Sequence, residues 1–251
     1  MNEKVHWDKI APAYDEEIFD VFQSDKNKML PKYFKKYGSK RHQAIDFGCG
    51  TGKAFPFLSP AFAHVLATDI STECLTTARK RGYSNIRFQQ ADLTRRNLKI
   101  PSADFVFCCN VVMLPEIEKN KAMFRNMFNV LRVGGSAVIV VPSLESVFYS
   151  SWRMLEWYRK EGTKPELVPD SELKYYSASK RRIIDGIIHI DGVPTKHYTE
   201  PELQVVIPES GFVVSSIERL EYGWDTEFPS PPVWMKAPYP WDWLIECKKE
   251  K

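Results

Sequence analysis

The chain has 251 residues, enough for one generous domain or for one domain with an insertion. Its 35 lysine and arginine residues stand against 32 aspartate and glutamate residues, and the net charge of +3 disfavours an electrostatic nucleic-acid binder. The N-terminus has no apolar signal region, and no apolar run approaches the roughly 18 residues of a membrane span. The 5 cysteines form no Cys-x-x-Cys pair and no metal-ligand cluster, which is typical of buried thiols in a reducing compartment. We therefore expect a cytoplasmic protein with no metal site and no membrane association.

The first part of the chain, residues 1–37, has a helical pattern. Trp7, Ile10 and Tyr14 fall on one face of a helix, which predicts packing against the rest of the domain. The stretch Glu16–Tyr37 also carries apolar residues at helical spacing, and Pro31 interrupts it.

A buried strand with a glycine-rich end follows. The sequence A-I-D-F-G-C-G-T-G at residues 44–52 places three glycines directly after apolar strand residues, and a short helix is predicted over Lys53–Leu58. Glycines at a strand end allow positive φ angles and close approach of a ligand. A dinucleotide site would have the pattern Gly-x-Gly-x-x-Gly, but Lys53 stands where its third glycine belongs. The spacing therefore disfavours a dinucleotide cofactor.

The second predicted strand, His64–Ile70, ends in an acidic residue. Asp69 lies about 20 residues beyond the glycine turn, the separation at which a βαβ unit places a carboxylate on ribose hydroxyls. The alternative is that Asp69 and Ser71 only cap the next helix, predicted over Thr72–Arg81.

Two further strands end in polar residues. Asp92 follows the predicted strand Ile86–Gln90, and Asn110 lies in the nearly continuous apolar run Ala103–Leu114. Ligands of open α/β sheets bind at the carboxyl ends of the strands, where both residues are expected. Each residue also has an alternative interpretation without a ligand: Asp92 could be an ordinary loop residue, and Asn110 could be a structural residue that closes the strand.

A long segment separates the fifth strand from the next core helix. A helix over Ile117–Leu131 should stop at Gly134-Gly135, and the strand Ser136–Pro142 follows. Residues 143–196 are far more than such a connection needs. An aromatic helix is predicted over Leu144–Tyr158, and a hairpin over Arg182–Tyr198 turns at Asp191-Gly192. This segment either covers a bound substrate, or its aromatic residues only pack against the rest of the domain.

The last third of the chain completes the strand and helix pattern. A Thr-x-x-Glu capping box opens a helix over Thr199–Glu209, and strands are predicted over Phe212–Tyr222 and Trp241–Lys248. The alternation of strands and helices predicts a parallel sheet with right-handed crossovers.

The glycine turn and the acidic residues after it resemble the motifs of class I S-adenosylmethionine-dependent methyltransferases. The phrase W-D-K-I-A-P-A-Y-D-E-E-I at Trp7–Ile18 is similar to the N-terminal cap of the ubiquinone and menaquinone C-methylating type. The resemblance covers residues 5–142 and 197–248. It implies one α/β domain over residues 1–251, with a doubly wound Rossmann-like seven-stranded sheet of order 3-2-1-4-5-7-6 and an antiparallel last strand. Residues 1–37 would form a helical cap and residues 143–196 an inserted lid.

The resemblance also implies the cofactor, S-adenosyl-L-methionine (SAM), and the residues around it. Asp69 would bind the ribose, Ile70 and the Asp92-Leu93 pair the adenine, and Asn110 the methionine end. The full implied cofactor set is Asp46, Gly48, Cys49, Gly50, Gly52, Asp69, Ile70, Asp92, Leu93, Asn110 and Tyr14.

The candidate catalytic residues are His189, His197 and Tyr14. For each histidine the pattern favours a packed or surface residue over a base, and Tyr14 could equally belong to the apolar helix face. Methyltransferases that act on planar nitrogens have Pro-Pro and an aromatic residue after the strand-four asparagine or aspartate. Here Val111, Val112 and Met113 follow Asn110, which disfavours that subclass.

The resulting expectation is methyl transfer from SAM to an oxygen, carbon or nitrogen atom of a small molecule. The alternatives are an RNA or protein methyltransferase, an NAD(P)-dependent oxidoreductase, and a SAM-binding protein with a scaffolding role. The pattern leaves the methyl acceptor and the oligomeric state open.

Overall fold

The computed structural model describes residues 3–14, 18–176, 178–190 and 192–251. In these ranges the α-helices are α1 (Glu3–Ile10), α2 (Val21–Ser24), α3 (Met29–Tyr37), α4 (Phe55–Ala61), α5 (Thr72–Arg79), α6 (Ile117–Val130), α7 (Leu144–Lys160), α8 (Lys180–Ile184) and α9 (Glu200–Val206). The strands are β1 (Ser39–Phe47), β2 (Phe62–Asp69), β3 (Ile86–Gln90), β4 (Ala103–Cys109), β5 (Leu131–Pro142), β6 (Ile187–Ile190), β7 (Val193–Lys196), β8 (Val213–Glu221) and β9 (Trp241–Lys248). Short 3-10 turns lie at Ala11–Ala13, Pro165–Leu167, Asp170–Tyr176, Pro208–Ser210 and Trp224–Thr226.

Seven strands form one mixed sheet in the order β3-β2-β1-β4-β5-β9-β8. The strands from β3 to β5 pair in parallel, whereas β9 is antiparallel to both β5 and β8. Counted within this sheet alone, the order is 3-2-1-4-5-7-6, so the predicted Rossmann-like architecture is confirmed. The carboxyl ends of β1, β2, β4 and β5 therefore meet at one edge, where open α/β sheets bind ligands.

The core lies on both faces of the sheet. On β5, Ala137, Ile139 and Val141 point to one apolar cluster, while Val138 and Val140 point to the other. This alternation follows from the two-residue period of a strand and explains why β5 is apolar throughout.

The boundaries of three predicted elements differ from the structure. The helix predicted from Lys53 begins at Phe55 instead, because residues 51–54, which include Gly52, form turns. Strand β4 ends at Cys109 rather than Leu114, since Asn110 takes a positive φ of 52° and leaves the strand.

The predicted helix stop at Gly134-Gly135 is also wrong. Helix α6 ends at Val130, and β5 begins at Leu131. The two glycines belong to the strand, because Gly134 N donates to Lys249 O at 2.7 Å and Lys249 N donates to Gly135 O at 3.0 Å.

The segment 143–196 contains the two predicted elements. Helix α7 carries the aromatic residues, and β6 and β7 pair as an antiparallel hairpin. Of the predicted turn, Gly192 has a φ of 81°, and Asp191 lies outside the described residues. Residues 15–17 of the Trp7–Ile18 phrase also lie outside them. Among the helices of the described ranges, none combines the length and the apolar character that crossing a bilayer requires.

Candidate cofactor and acceptor site

A cavity of about 1190 Å³ opens at the carboxyl edge of the sheet. One side is formed by the N-terminal segment with Trp7 and Tyr14, and its floor by the glycine turn after β1. Helix α7 and the β6–β7 hairpin cover it, and the residues between β8 and β9 form the opposite wall. The cavity thus joins the motif-bearing edge of the sheet to the inserted segment.

The glycine turn is held tightly against the end of β2. Gly48, Gly50 and Gly52 have φ angles of 86°, 51° and 87°. Gly48 N and Cys49 N both donate to Thr68 O, at 2.9 and 2.8 Å. A Cβ atom at Gly50 would lie 2.5 Å from the Tyr14 hydroxyl oxygen, so a larger residue cannot stand there without displacing the tyrosine. All three positions therefore favour glycine by their backbone angle, and Gly50 is also required by the close approach of Tyr14.

Asp46 carries a buried carboxyl group into the cavity wall. The residue is 2% exposed, and its Oδ2 has no hydrogen-bond partner among the described residues. Burial raises its pKa to about 8, and repulsion from Asp69 acts in the same direction. A buried carboxyl without a partner is costly, and a cation in the cavity would relieve that cost. The orphaned atom therefore fits a positively charged ligand.

Asp69 fastens the glycine turn. Its Oδ2 accepts from Gly50 N at 2.8 Å, and its Oδ1 accepts from Ser71 N at 2.9 Å. Burial raises its pKa, although these backbone hydrogen bonds oppose the shift. The cap of α5 is Ser71, whose Oγ accepts from Cys74 N at 3.0 Å. Asp69 thus shapes the turn, and each oxygen keeps a lone pair for a further donor.

Asp92 and Leu93 are not among the residues that line the cavity. The Asp92 carboxylate accepts from Thr94 Oγ1 at 2.6 Å and lies 3.3 Å from Arg95 Nε. Partial burial opposes ionisation, but the hydrogen bonds from Thr94 and the charge of Arg95 lower the pKa of Asp92. Leu93 is buried in the core. The neighbouring Ile70 carbonyl accepts from Gln90 Nε2 at 3.0 Å. Any adenine contact by these residues stays a prediction.

Asn110 meets residues that the sequence did not single out. Its Nδ2 donates to Asp242 Oδ2 at 3.0 Å, while its Oδ1 has no partner among the described residues. The Tyr222 hydroxyl donates to the same Asp242 oxygen at 2.7 Å. Burial raises the pKa of Asp242 to about 6, against the effect of these two hydrogen bonds. The sequence feature that could have indicated Asp242 is an acidic residue inside the apolar strand W-D-W-L-I-E-C.

Only one of the two candidate histidines lines the cavity in the described part of the chain. His197 is 5% exposed, and its Nδ1 lies 3.1 Å from Thr195 O. Burial lowers its pKa to about 4, so the imidazole is neutral, and donation by Nδ1 leaves Nε2 as an acceptor. His189 pairs with Pro194 in the hairpin and does not line the cavity.

Tyr14 lines the cavity beside the glycine turn. Its ring centroid is 6.2 Å from that of Trp7, and Lys53 Nζ is 5.6 Å from its centroid. Burial and then the charge of Asp69 raise its pKa well above the usual value, so the phenol stays protonated. Helix α1 is tied to the same region, because Ser71 Oγ donates to Asp8 Oδ1 at 2.7 Å. Tyr14 can donate a hydrogen bond but is a poor base.

Known proteins share this architecture and the motif-bearing part of the chain. A methyltransferase from Anabaena variabilis aligns over 99% of this chain and 96% of its own, with 16% identity and a TM-score of 0.65. Residues 44–135, which include the glycine turn, Asp69, Asp92 and Asn110, match the family described as "Methyltransferase domain". Residues 44–135 therefore match a methyltransferase domain, and the whole chain has the fold of solved SAM-dependent methyltransferases.

Other known proteins show the same pattern of distant similarity. The structure described as "DhpI-SAM-HEP complex" aligns over 98% of this chain and 95% of its own, with 16% identity and a TM-score of 0.64. Phosphoethanolamine N-methyltransferase 1 of Arabidopsis thaliana is 27% identical over 101 residues, 39% of this chain and 20% of that protein. The probable SAM-dependent methyltransferase CRG1 of Saccharomyces cerevisiae is 26% identical over 142 residues, 53% of this chain and 43% of that protein. The chain thus spans less than half the length of the curated relatives that it matches.

The residues of the cavity fit the cofactor SAM. SAM carries a positive sulfonium and an ammonium group, and Asp46 offers a buried carboxyl at the floor of the cavity, whose Oδ2 has no partner within the described ranges. The positive φ angles of the glycine turn leave its backbone open to a ligand. The similarity to SAM-dependent methyltransferases confirms SAM as the predicted cofactor. The role of each residue in binding SAM stays a prediction.

Proposed function

We propose that the protein transfers the methyl group of SAM to an oxygen, carbon or nitrogen atom of a small molecule. The observation that carries the proposal is the continuous cavity from the glycine turn to the inserted segment and the β8–β9 wall. SAM supplies a methyl group already activated on its sulfonium. The protein therefore has to position the accepting atom, exclude water and manage one proton.

In this proposal the turn residues Asp46, Gly48, Cys49, Gly50 and Gly52 hold the methionine end of the cofactor. Asp69 accepts hydrogen bonds from the ribose with the lone pairs that Gly50 and Ser71 do not use. Asp92, Leu93 and Ile70 bind the adenine, and Asn110 contributes its partnerless Oδ1 to the methionine end. Tyr14 closes over the turn from the N-terminal segment.

The acceptor side of the cavity is formed by the inserted segment. Buried side chains of α7, including Ser146 and Met154, face the cavity together with His197. A neutral His197 accepts a hydrogen bond at Nε2 from the acceptor and so orients it. Because its pKa is lowered, His197 is better suited to orienting the acceptor than to accepting its proton as a general base. A covered cavity of this size favours a small molecule over a polymer.

The names of the curated relatives support the same class of acceptor. Two of them are phosphoethanolamine N-methyltransferases, which act on a small molecule. The alignment reaches only 39% of this chain, so the relatives support a small acceptor without naming it.

Thermal unfolding with SAM, S-adenosylhomocysteine, NAD or no ligand tests the cofactor. A ligand at about 100 times its dissociation constant adds about 2.7 kcal/mol, which raises the midpoint of a domain of this size by roughly 5 to 10 °C. A shift with SAM and its product but not with NAD supports the proposal. A shift with NAD alone would overturn it in favour of an oxidoreductase.

Turnover tests the enzyme itself. Release of S-adenosylhomocysteine is measured with a panel of small amines, alcohols and carbon acids, and with RNA and peptide as polymers. Acceptance of a small molecule supports the proposal. Cofactor binding with no turnover on any acceptor would favour the scaffolding role, and turnover on the polymers alone would move the acceptor to that class.

A further inference from the structure

The cavity has an excess of carboxyl groups. Among the described residues that line it, the acidic ones are Asp46, Glu172, Glu227 and Asp242, whereas Lys53 is the only lysine or arginine. Lys53 is already engaged, because its Nζ lies 3.7 Å from Asp20 Oδ2 and donates to Ile18 O at 2.9 Å. The cavity therefore holds more carboxyl groups than cationic groups to pair with them, and a bound cation would favour the ionised forms of these carboxyl groups.

One cofactor does not account for this excess. SAM brings a sulfonium, an ammonium and a carboxylate, and so a single net positive charge. Asp46 lies at the glycine turn, where that charge is expected. Glu227 lies in the connection between β8 and β9, Asp242 is the second residue of β9, and both line the cavity.

Glu227 and Asp242 both line the cavity, and the charge of one affects the other. Glu227 is open to the cavity solvent, and the surrounding protein raises its pKa, with the charge of Asp242 adding to the effect. The hydrogen bonds from Asn110 and Tyr222 occupy one oxygen of Asp242. Two repelling carboxyl groups in one wall favour a cation between them.

The same wall carries aromatic rings and unsatisfied polar atoms. Trp241 is 5% exposed, lines the cavity, and has no hydrogen-bond partner for its Nε1 among the described residues. Asn110 Oδ1 is partnerless in the same sense. The rings of Tyr222 and Phe228 line the cavity beside the carboxyl groups. Carboxylates with aromatic faces are the environment that binds organic ammonium ions. The free indole N–H suits an acceptor that also carries an oxygen.

We propose that the methyl acceptor is a small amine with a hydroxyl or ether oxygen, which binds as its ammonium form against Glu227 and Asp242 and becomes nucleophilic at nitrogen once one of these carboxylates takes its proton. This inference rests on the proposed function, because it names the acceptor class of that same cavity. It also disfavours an anionic acceptor such as a phosphate ester on this side, since no free lysine or arginine of the described lining would meet the phosphate.

Binding of a matched pair of probes tests the inference without turnover. The first probe is choline, whose quaternary nitrogen cannot accept another methyl group. The second is its neutral isostere, in which a tert-butyl group replaces the trimethylammonium group. Titration calorimetry on the full chain, with and without S-adenosylhomocysteine, should show choline binding at least about tenfold more tightly, a difference of about 1.4 kcal/mol. Inorganic phosphate should not compete.

Variants of the wall localise the effect. We expect Glu227→Gln and Asp242→Asn each to weaken choline binding several-fold and to leave the isostere unchanged. Asp225→Asn is the matched control, because Asp225 lies in the same connection but is exposed and outside the cavity lining. Circular dichroism checks that each variant is folded.

The outcomes separate this inference from the proposed function. Equal affinity for both probes, or unchanged choline binding in both wall variants, overturns the cationic acceptor even if SAM binds. A thermal shift with NAD and not with SAM overturns the methyltransferase proposal, whereas choline selectivity is measured independently of it.

Discussion

The Asp69 carboxylate, at the end of β2, has two roles. It receives the backbone N–H of Gly50 and of Ser71, so it fixes the path of the glycine turn and the start of α5. In our proposal it also receives the ribose hydroxyls. The expected loss on removing it is therefore larger than that of one cofactor contact.

We predict that Asp69→Ala lowers SAM affinity by roughly 2 to 3 kcal/mol, about 30- to 150-fold, because a charged hydrogen-bond acceptor is lost and a buried N–H is left unpaired. Titration calorimetry measures the affinity. Asp104→Ala is the control, since Asp104 also accepts a backbone N–H, from Gln43 at 2.8 Å, and pairs with Arg132 at 2.7 Å, but lies at the start of β4. It should cost stability and leave SAM affinity unchanged. Equal effects of the two variants on affinity would place the ribose elsewhere.

The inserted segment leaves the sheet and returns to it at one place. Tyr198 N donates to Pro142 O at 2.8 Å, and Leu144 N donates to Tyr198 O at 2.9 Å. Glu145 then ties the segment to the next helix by accepting from Glu200 N at 2.9 Å. Because its ends meet, the segment can be shortened without pulling the sheet apart.

We predict that replacing residues 147–194 with a short glycine-serine linker preserves SAM binding and abolishes methyl transfer to the acceptor. The replacement keeps Glu145 and Ser146, whose Oγ accepts from Trp241 N at 2.8 Å, and so keeps the β9 anchor. Thermal shift with SAM and release of S-adenosylhomocysteine measure the two properties. A folded variant that no longer binds SAM would make the segment part of the cofactor site.

The elements differ in how far the sequence predicts them. Apolar runs between glycines and acids indicate the parallel strands, because each of these strands is buried on both faces and must be apolar. The order of the strands was implied by the resemblance to the methyltransferase family. The glycine turn and Asp69 can also be predicted from the sequence, since their spacing follows from one βαβ unit. Asp242 and Glu227 are different, because they reach the cavity through an antiparallel last strand and a proline-rich connection. Their neighbours are set by tertiary pairing, as in Asn110 to Asp242, which lie 132 residues apart.

At the scale of the whole molecule, the buried carboxyl groups of the cavity lower the free energy of unfolding. Asp46 and Asp242 are held at the carboxyl edge with pKa values of about 8 and about 6, well above the usual 3.8 of an aspartate. An unfolded chain ionises both freely above pH 4, so the fold resists their ionisation. His197 works in the opposite direction below pH 6.5, where its lowered pKa favours the folded state as the pH rises. Of the groups with these pKa values, Asp46 alone titrates between pH 7 and 8.

We predict that the free energy of unfolding falls as the pH rises from 7 to 8. In this window the unfolded chain carries an ionised Asp46 while the folded chain still holds the proton, so stability is lost by up to about 1.4 kcal/mol per pH unit. Asp46→Asn removes the titrating group and should flatten the profile. Urea unfolding at several pH values measures it. A slope that persists unchanged in this variant would assign it to another group.

The same proton links stability to the cofactor. A cationic ligand beside Asp46 favours its ionised form, so SAM should bind more tightly as the pH rises from 7 to 8, while the free protein becomes less stable. The increase approaches tenfold per unit well below the pKa and fades above it. In Asp46→Asn the affinity should be weaker and independent of pH in this window. Calorimetric titrations at each pH measure both, and a wild-type affinity that stays constant between pH 7 and 8 would separate Asp46 from the positive charge of the cofactor.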